Sequence, residues 1–259
     1  TSCLRSGHLV WGVDTNIDQV KAFCSQGGQA STLSSVIDEI DVVVVVVLNS
    51  VQTEEVLFGQ EGLVENLKPG TVVISCATVA PTFAIDMERR CKEFEIFYLD
   101  APISGGALKA KNGQLSIMAS GVKEAFQHAR PTLDSISETV FELGDEAGTG
   151  SAMKSVNQLL AGVHIAVMAE ALTFGISQGI SPDKFVEVIS KCAGTSWMLE
   201  NRAPHIVNGD YKPHSSINIW PKDLGIVLDV ALESKFNAPI ATAALEQFRT
   251  AVDMGLGFE

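Results

Sequence analysis

Apolar and polar positions follow two different periods along the first half of the chain. Six short apolar segments have the length of β-strands, namely residues 8–13, 41–48, 71–75, 96–99, 115–119 and 140–143. Helical spacing or helix-forming composition marks the segments between them, residues 17–25, 33–37, 53–58, 82–94 and 123–129. The six valines of residues 42–47 show no alternation, which is typical of a strand covered by helices on both faces. The pattern predicts a doubly wound α/β domain with a parallel sheet.

The pattern becomes helical after Gly150. Residues 151–178 form one long, mostly apolar segment, which predicts a single helix. Ser181 followed by Pro182 predicts the capped start of another helix, and Pro221 predicts the start of a third. We therefore expect an α/β domain over residues 1–147 and an all-helical domain over residues 148–259.

The composition argues against several classes of protein. With 31 acidic and 18 basic residues, the net charge is −13, which argues against a nucleic-acid surface. The longest apolar run, residues 42–48, is far shorter than the ~20 residues that cross a membrane. The five cysteines are scattered without a CxxC pair, and neither they nor the five histidines have metal-ligand spacing. We expect reduced thiols, a cytoplasmic location, no metal site and no membrane partner.

Several candidate ligand contacts follow the predicted strands. Ligands of doubly wound sheets bind outside the carboxyl ends of the strands. Asp14 ends the first strand, where a carboxylate binds the ribose hydroxyls of NAD and repels the 2′-phosphate of NADP. Leu48 and Asn49 follow the valine strand, and Thr78 follows the next. The alternative is structural, because Asp14 also suits a turn with a helix cap and the other three suit loop starts.

The glycine-rich turn of a dinucleotide fold is absent from the sequence. Such a fold opens with a strand and a G-x-G-x-x-G turn that binds the pyrophosphate, whereas residues 1–14 read as the tail of a helix followed by the second strand. The missing strand would lie between the strands that begin at His8 and Val42. We therefore expect an α/β domain that lacks its first strand and a chain that is not a complete functional unit.

Four ordered motifs are similar to those of the β-hydroxyacid dehydrogenase family, which includes 3-hydroxyisobutyrate dehydrogenase. These motifs are SGHLVWGVD, DAPISGG, GTGSAMKSVNQ and KDLGIVLDVA. The region AGTSWMLENRAPHIVNGDYKPHSSINIWPKDL most resembles the L-threonate dehydrogenase branch. The resemblance implies a Rossmann-like domain followed by a helical domain, an NAD cofactor with NADP less favoured, and pairing into a homo-oligomer.

The resemblance also assigns roles to particular residues. Ser104, Gly105 and Gly106 would hold the substrate carboxylate, because glycine lets an anion approach the backbone amides. Lys154 would be the general base, since burial or nearby positive charge brings a lysine pKa towards neutrality. Asn157, three residues further along the helix, would hold the hydroxyl or orient the lysine. The alternatives are a tight turn at the glycines and a solvated lysine near a helix start.

Lys222 would approach the nicotinamide or the substrate and is counted with the cofactor contacts, whereas Asp223 is expected to support local structure.

The predicted function is hydride transfer between NAD and a small anionic 3-hydroxy acid, such as L-threonate or a related four-carbon sugar acid. Two alternatives stay open. One is an NADPH-dependent reductase of small semialdehydes such as glyoxylate or succinic semialdehyde. The other is a non-catalytic module that retains the fold.

Overall fold

The structure, a computed structural model, describes residues 1–30, 35–212 and 215–259. Its chain divides into two units, Thr1–Lys154 and Ser155–Glu259. The first unit contains helices α1 to α6, which are Ser2–Arg5, Ile17–Cys24, Ser50–Phe58, Pro81–Lys92, Gly106–Asn112 and Lys123–Ile136. Its strands β1 to β6 are Val42–Val45, Val72–Ser75, Phe97–Asp100, Ile103–Ser104, Leu115–Ala119 and Ser137–Glu142.

The helix α7, Thr149–Ser177, begins in the first unit and continues into the second. The second unit otherwise contains helices α8 to α11, which are Pro182–Ile189, Trp197–Val207, Ile219–Glu233 and Pro239–Ala251, and a final helical turn, Val252–Leu256. Ser181 caps α8, because its side chain accepts a hydrogen bond from the amide of Lys184. All of the described secondary structure of the second unit is thus helical.

Two sheets form the middle of the first unit. Strands β1, β2 and β3 are parallel and pair in that order. In the second sheet, β5 pairs in parallel with β6 and antiparallel with the short strand β4. An antiparallel bridge between Asp100 and Ser120 joins the end of β3 to the residue after β5. The bridge brings the carboxyl ends of β3 and β5 together.

The residues of β2 and β3 are buried on both faces of their sheet. Val73 and Tyr98 belong to one apolar cluster, and Val72, Ile74 and Leu99 belong to another. Adjacent residues of a strand point to opposite faces. Burial on both faces explains why β2 and β3 are apolar except at their last residues, Ser75 and Asp100.

Most predicted elements are confirmed, with shifted ends. The strand predicted at residues 8–13 is wrong, because only an isolated parallel bridge forms there, between Trp11 and Gln29. The valine strand stops at Val45, and Val46 is 67% exposed, since among the described strands β1 pairs only with β2. The helix predicted at residues 33–37 lies partly outside the described residues. Pro221 is the third residue of α10 rather than its start.

The long helix α7 has the length and composition of a membrane span. An 18-residue window within it reaches a mean hydropathy of 1.8, although one third of that window is buried. Buried residues of α7 belong to two apolar clusters of the second unit. Ala161 and Ala166 pack with Leu224 and Phe248, and Met168 packs in the other cluster. These contacts fit the core helix of a folded domain.

Gly150 fixes how closely the start of α7 approaches the sheets. A Cβ atom there would lie 2.5 Å from the carbonyl oxygen of Asp100 and 2.6 Å from that of Met118. Both are backbone atoms of strands and have little freedom to move. A glycine is therefore required where the helix meets the ends of β3 and β5.

We predict that Gly150→Ala lowers the free energy of unfolding by about 1–3 kcal/mol, the usual cost of overpacking. Gly225→Ala is the control, because a Cβ at this position of α10 meets no atom within 4 Å. It should leave stability unchanged or raise it by up to ~1 kcal/mol, since alanine favours helix. Urea unfolding measures both changes. Equal effects of the two substitutions would contradict the close approach.

Candidate functional site

The glycine pair after Ser104 forms a sharp turn into α5. Ser104 is the last residue of β4, and Gly105 and Gly106 follow with φ angles of 131° and 71°. A Cβ atom at Gly105 would lie 2.9 Å from the side chain of Lys109, whereas one at Gly106 would meet nothing within 4 Å. The turn alone therefore explains Gly105. At Gly106 the structure has open space beside the backbone.

Lys154 lies beside this turn. Its side chain is buried, with 7% of the residue exposed, and its Nζ atom donates a hydrogen bond of 2.7 Å to the carbonyl oxygen of Ile103. Ile103 directly precedes Ser104, so the Lys154 amine is bonded to the residue next to the Ser104 hydroxyl. The alternative of a solvated lysine near a helix start is wrong, because Lys154 is buried.

The start of α7 is held by a buried carboxylate from the end of β3. Asp100 Oδ2 accepts hydrogen bonds from the amides of Gly148 and Ser151, at 2.9 and 2.8 Å, and its Oδ1 accepts one of 2.7 Å from the Ser151 hydroxyl. The Ser120 hydroxyl accepts a further bond from the amide of Gly150. Amides of a first helical turn have no partner within the helix, and these side chains satisfy them.

Burial raises the pKa of Asp100. The hydrogen bonds from Ser151, Gly148 and Ser120 favour the carboxylate and oppose this effect, but they leave the pKa above its ordinary value. Glu88, in α4, also accepts a hydrogen bond near the start of α7, from the amide of Ala147. Burial raises the pKa of Glu88 as well. Two acidic side chains thus support the loop that leads into α7.

Asn157 and Lys222 belong to one polar network in the second unit. The Asn157 side-chain amide donates to Gln158 Oε1 at 2.9 Å, and the Gln158 amide donates to the carboxylate of Asp223. Lys222 Nζ lies 2.6 Å from the other oxygen of Asp223, as an ion pair. Gln158 and Asp223 are both buried. Asp223 therefore connects two of the predicted site residues rather than supporting only its own turn.

The predicted cofactor contacts of the first unit begin loops and helices. Asp14 is exposed and accepts a hydrogen bond of 2.8 Å from the amide of Asn16, whose side chain caps α2. Asn49 caps α3 by accepting from the amide of Gln52, and the amide of Leu48 donates to the Gln52 side chain. Thr78 lies half-buried between β2 and α4. The structural alternative of turns and caps is correct for Asp14 and Asn49, and it does not exclude ligand contact.

The side chains of these residues are of the kinds that bind parts of a nicotinamide dinucleotide. Asp14 has an exposed carboxylate, the kind of group that binds a ribose diol, and Leu48, 52% exposed, has an apolar surface of the kind that packs on a flat ring. Thr78 adds a hydroxyl after β2. The fit covers the ribose and ring portions of the cofactor. Among the described residues, no group of three or more His, Cys, Asp or Glu side chains is arranged to hold a metal ion.

Sequence reasoning missed three buried residues that support the site. Asp100 stands in the DAPISGG motif and Ser151 in GTGSAMKSVNQ, but neither was given a role, and Gln158 was not considered. The available signal was an acidic residue at the end of an otherwise apolar strand, because a buried carboxylate requires partners. Its partners lie about fifty residues away along the chain and have no local pattern.

Comparisons with known proteins match the two parts of the chain to two family models of NAD(P)-dependent dehydrogenases. Residues 1–144 match the family described as the NAD binding domain of 6-phosphogluconate dehydrogenase. Residues 148–258 match that described as NAD-binding of NADP-dependent 3-hydroxyisobutyrate dehydrogenase. The chain is 44% identical to L-threonate dehydrogenase of Cupriavidus necator over 259 residues, which cover 100% of this chain and 87% of that one.

Two further relatives agree. L-threonate dehydrogenase of Escherichia coli strain K12 is 41% identical over 260 residues, covering 100% of this chain and 86% of that protein. A crystal structure of 3-hydroxyisobutyrate dehydrogenase from Salmonella typhimurium has a TM-score of 0.93 and 39% identity, and covers 100% of this chain and 90% of that one. The chain belongs to the β-hydroxyacid dehydrogenase family of NAD(P)-dependent oxidoreductases.

Proposed function

We propose that this protein oxidises L-threonate, or a closely related four-carbon sugar acid, with NAD in the cytoplasm. The observation that carries the proposal is the buried Lys154 amine hydrogen-bonded beside the Ser104 turn. Such an amine supplies a base next to an open backbone turn that accepts an anion. The similarity to dehydrogenases named for L-threonate supports the choice of substrate. It also argues against a non-catalytic module.

The reaction requires two transfers from the substrate. The hydroxyl proton passes to the Nζ atom of Lys154 in its neutral form, and the bonding electrons of the carbinol C–H bond leave with the hydrogen as hydride. NAD, when bound, accepts that hydride. The hydrogen bond from Lys154 to Ile103 fixes the position of the amine, and a positioned base typically accelerates such a step by about 10²–10⁴-fold.

We assign anion binding to the turn before α5. Gly105 occupies the N-cap of this helix and has no side chain with which to cap its first amides. The Ser104 hydroxyl and these amides are donors for a carboxylate, and the open space beside Gly106 admits it. The roles expected of Asn157 and Lys222, contact with a substrate hydroxyl and with a nicotinamide ring respectively, stay predictions.

The protein is further proposed to be a homo-oligomer. Val156, Leu160, Val167 and Phe174 recur at helical spacing along α7, and each is at least 50% exposed. An apolar stripe of this kind on a long helix is usually covered by another surface. A second copy of the chain suits such a stripe, and light scattering of the purified protein tests the assignment.

The substrate and cofactor are tested together. We predict that the protein reduces NAD with L-threonate at a higher kcat/KM than with 3-hydroxyisobutyrate. We also predict little reduction of glyoxylate with NADPH. Formation or loss of reduced cofactor, followed by absorbance, measures both. Preference for a semialdehyde with NADPH would contradict the proposed function and favour the reductase.

Asp14 should set the preference between NAD and NADP. Asp14→Asn removes the charge but keeps an oxygen that accepts from the Asn16 amide, so the turn survives. We expect the ratio of kcat/KM with NADP to that with NAD to rise about fivefold to tenfold, the scale of one screened charge interaction. Asp18→Asn, at an exposed position of α2, is the control and should leave the ratio unchanged. An unaltered protein that already prefers NADP would contradict the assignment.

Gly106 should tune substrate binding without affecting the cofactor. We predict that Gly106→Val raises KM for L-threonate about tenfold or more, because its side chain fills the space proposed for the carboxylate. The dissociation constant of NAD, measured by calorimetry, should barely change. Gly70→Val is the control, since Gly70 also has positive φ and open space but precedes β2, at the opposite end of the strands. If both variants lose stability alike without a specific KM effect, Gly106 serves only the turn.

Lys154 should govern turnover. Lys154→Met keeps most of the buried aliphatic chain and removes the amine, so kcat should fall by at least ~10²-fold while NAD affinity is retained. Lys123→Met, at an exposed position of α6, is the control and should turn over normally. Initial rates at saturating substrate and calorimetric titration with NAD separate the two effects. Turnover that survives in Lys154→Met would assign the base to another group.

A further inference from the structure

Asp100 is a buried charge that the proposed reaction does not use. Its residue is 1% exposed, and a carboxylate is costly to remove from water. Three of its hydrogen bonds come from residues 148–151, which lie 48 to 51 positions later in the chain, and the Ser120 side chain contributes another. A side chain buried at this cost, with most of its described partners in one distant loop and helical turn, has a specific task there.

That task begins with the cap of α7. Most helices are capped by the residue directly before them, but α7 follows Gly148, which has no side chain and a φ of 109°. The cap is supplied instead by Asp100 from β3, and a negative charge at a helix N-terminus is also favoured by the helix dipole. Because the cap comes from another element, it fixes the position of α7 on the sheet as well as its start.

The same strand end sets the acceptor for Lys154. Asp100 is followed after three residues by Ile103, whose carbonyl oxygen accepts from Lys154 Nζ. Ser151, which binds Asp100, precedes Lys154 by three residues, so the two side chains project from the same side of the helix. One short segment of chain therefore binds successive turns of α7, first through a carboxylate and then through a carbonyl.

We propose that Asp100 is the positioning residue for Lys154: by holding the first turn of α7 against β3, its carboxylate places the Lys154 amine at the Ser104 turn. The role of Lys154 as the base rests on the proposed function, whereas the placement itself rests on geometry. Loss of the carboxylate leaves the amides of Gly148 and Ser151 without their partner. The first turn then frays, and the buried lysine loses its fixed position.

The test compares Asp100→Ala with Asp100→Asn and with Glu88→Ala. The asparagine can keep all three contacts, because its oxygen accepts from both amides and its amino group donates to the Ser151 hydroxyl. Glu88→Ala is a matched control, since it removes a carboxylate from the amide of Ala147 in the same loop without touching the first turn of α7.

Two measurements are made on each purified variant. The first is the rate at which an amine-specific reagent labels Lys154, relative to exposed Lys92, by peptide mass spectrometry. The second is kcat for the hydroxy acid that the unaltered protein oxidises, together with its solvent deuterium isotope effect. The labelling needs no substrate, so it tests the placement even if L-threonate proves to be the wrong substrate.

Asp100→Ala should label Lys154 at least ~10-fold faster relative to Lys92 and lower kcat about 10²-fold, the scale of a misplaced catalytic group. The isotope effect should rise as proton transfer becomes limiting. Asp100→Asn and Glu88→Ala should resemble the unaltered protein in both measurements. If Asp100→Ala does not fold, Ser151→Ala replaces it and should show the same changes at smaller size.

Three outcomes would overturn the proposal. Lys154 labelled at the unaltered rate in Asp100→Ala would show that the carboxylate does not hold it. Equal acceleration at Lys154 and Lys92 would show a general loss of stability. A fall in kcat with an unchanged isotope effect would show fewer folded molecules rather than a displaced base. Failure of L-threonate oxidation with Lys154 labelling as expected would instead reject only the proposed substrate.

Discussion

A buried carboxylate, that of Asp100, is the contact that holds the start of α7 against the sheets of the first unit. Removing Asp100 from water is unfavourable, and the bonds from the Gly148 and Ser151 amides and the Ser151 hydroxyl offset that cost. The amides need a partner as much as the carboxylate does, because a first helical turn cannot satisfy them internally. The carboxylate and the amides therefore satisfy each other's need for a hydrogen-bond partner. The absence of a Cβ at Gly150 then lets the helix approach closely enough for these bonds to form.

This arrangement places hydrogen-bond donors in a chain that is acidic as a whole. The net charge of −13 would repel an anionic hydroxy acid at long range, so binding depends on local donors. The Ser104 turn offers a hydroxyl and backbone amides, and Lys154 lies beside it with its amine bonded to Ile103. Short-range donors in a partly desolvated turn act more strongly than the screened charges of an exposed surface. Under the proposed function, substrate selection is therefore a property of the Ser104 turn and not of the protein's net charge.

The sequence predicted elements well where local periodicity and burial agree. β5 was predicted with its observed ends, and α7 within two residues, because each has one unbroken pattern. The strand at residues 8–13 failed because a strand also needs a partner, and only Gln29 pairs there. Helix α5 was missed because it has only seven residues, follows Gly105 and begins with Gly106. In the site, motifs predicted Ser104, Gly106 and Lys154. The role of Asp100 was not predicted, because its partners lie about fifty residues away and no local pattern encodes such pairing.

The two groups of predicted site residues are organised by different kinds of contact. In the first unit, Lys154 is bonded to the backbone carbonyl of Ile103 in β4, and the proposed role of Asp100 is to hold the helical turn from which this lysine projects. In the second unit, Asn157 and Lys222 are connected only through side chains, by way of Gln158 and Asp223. A side-chain network is sensitive to each of its members, because one substitution leaves a buried polar group unsatisfied. We therefore expect a substitution at Gln158 to disturb Asn157 and Asp223 directly, whereas a substitution at Asp100 acts on Lys154 through the first turn of α7.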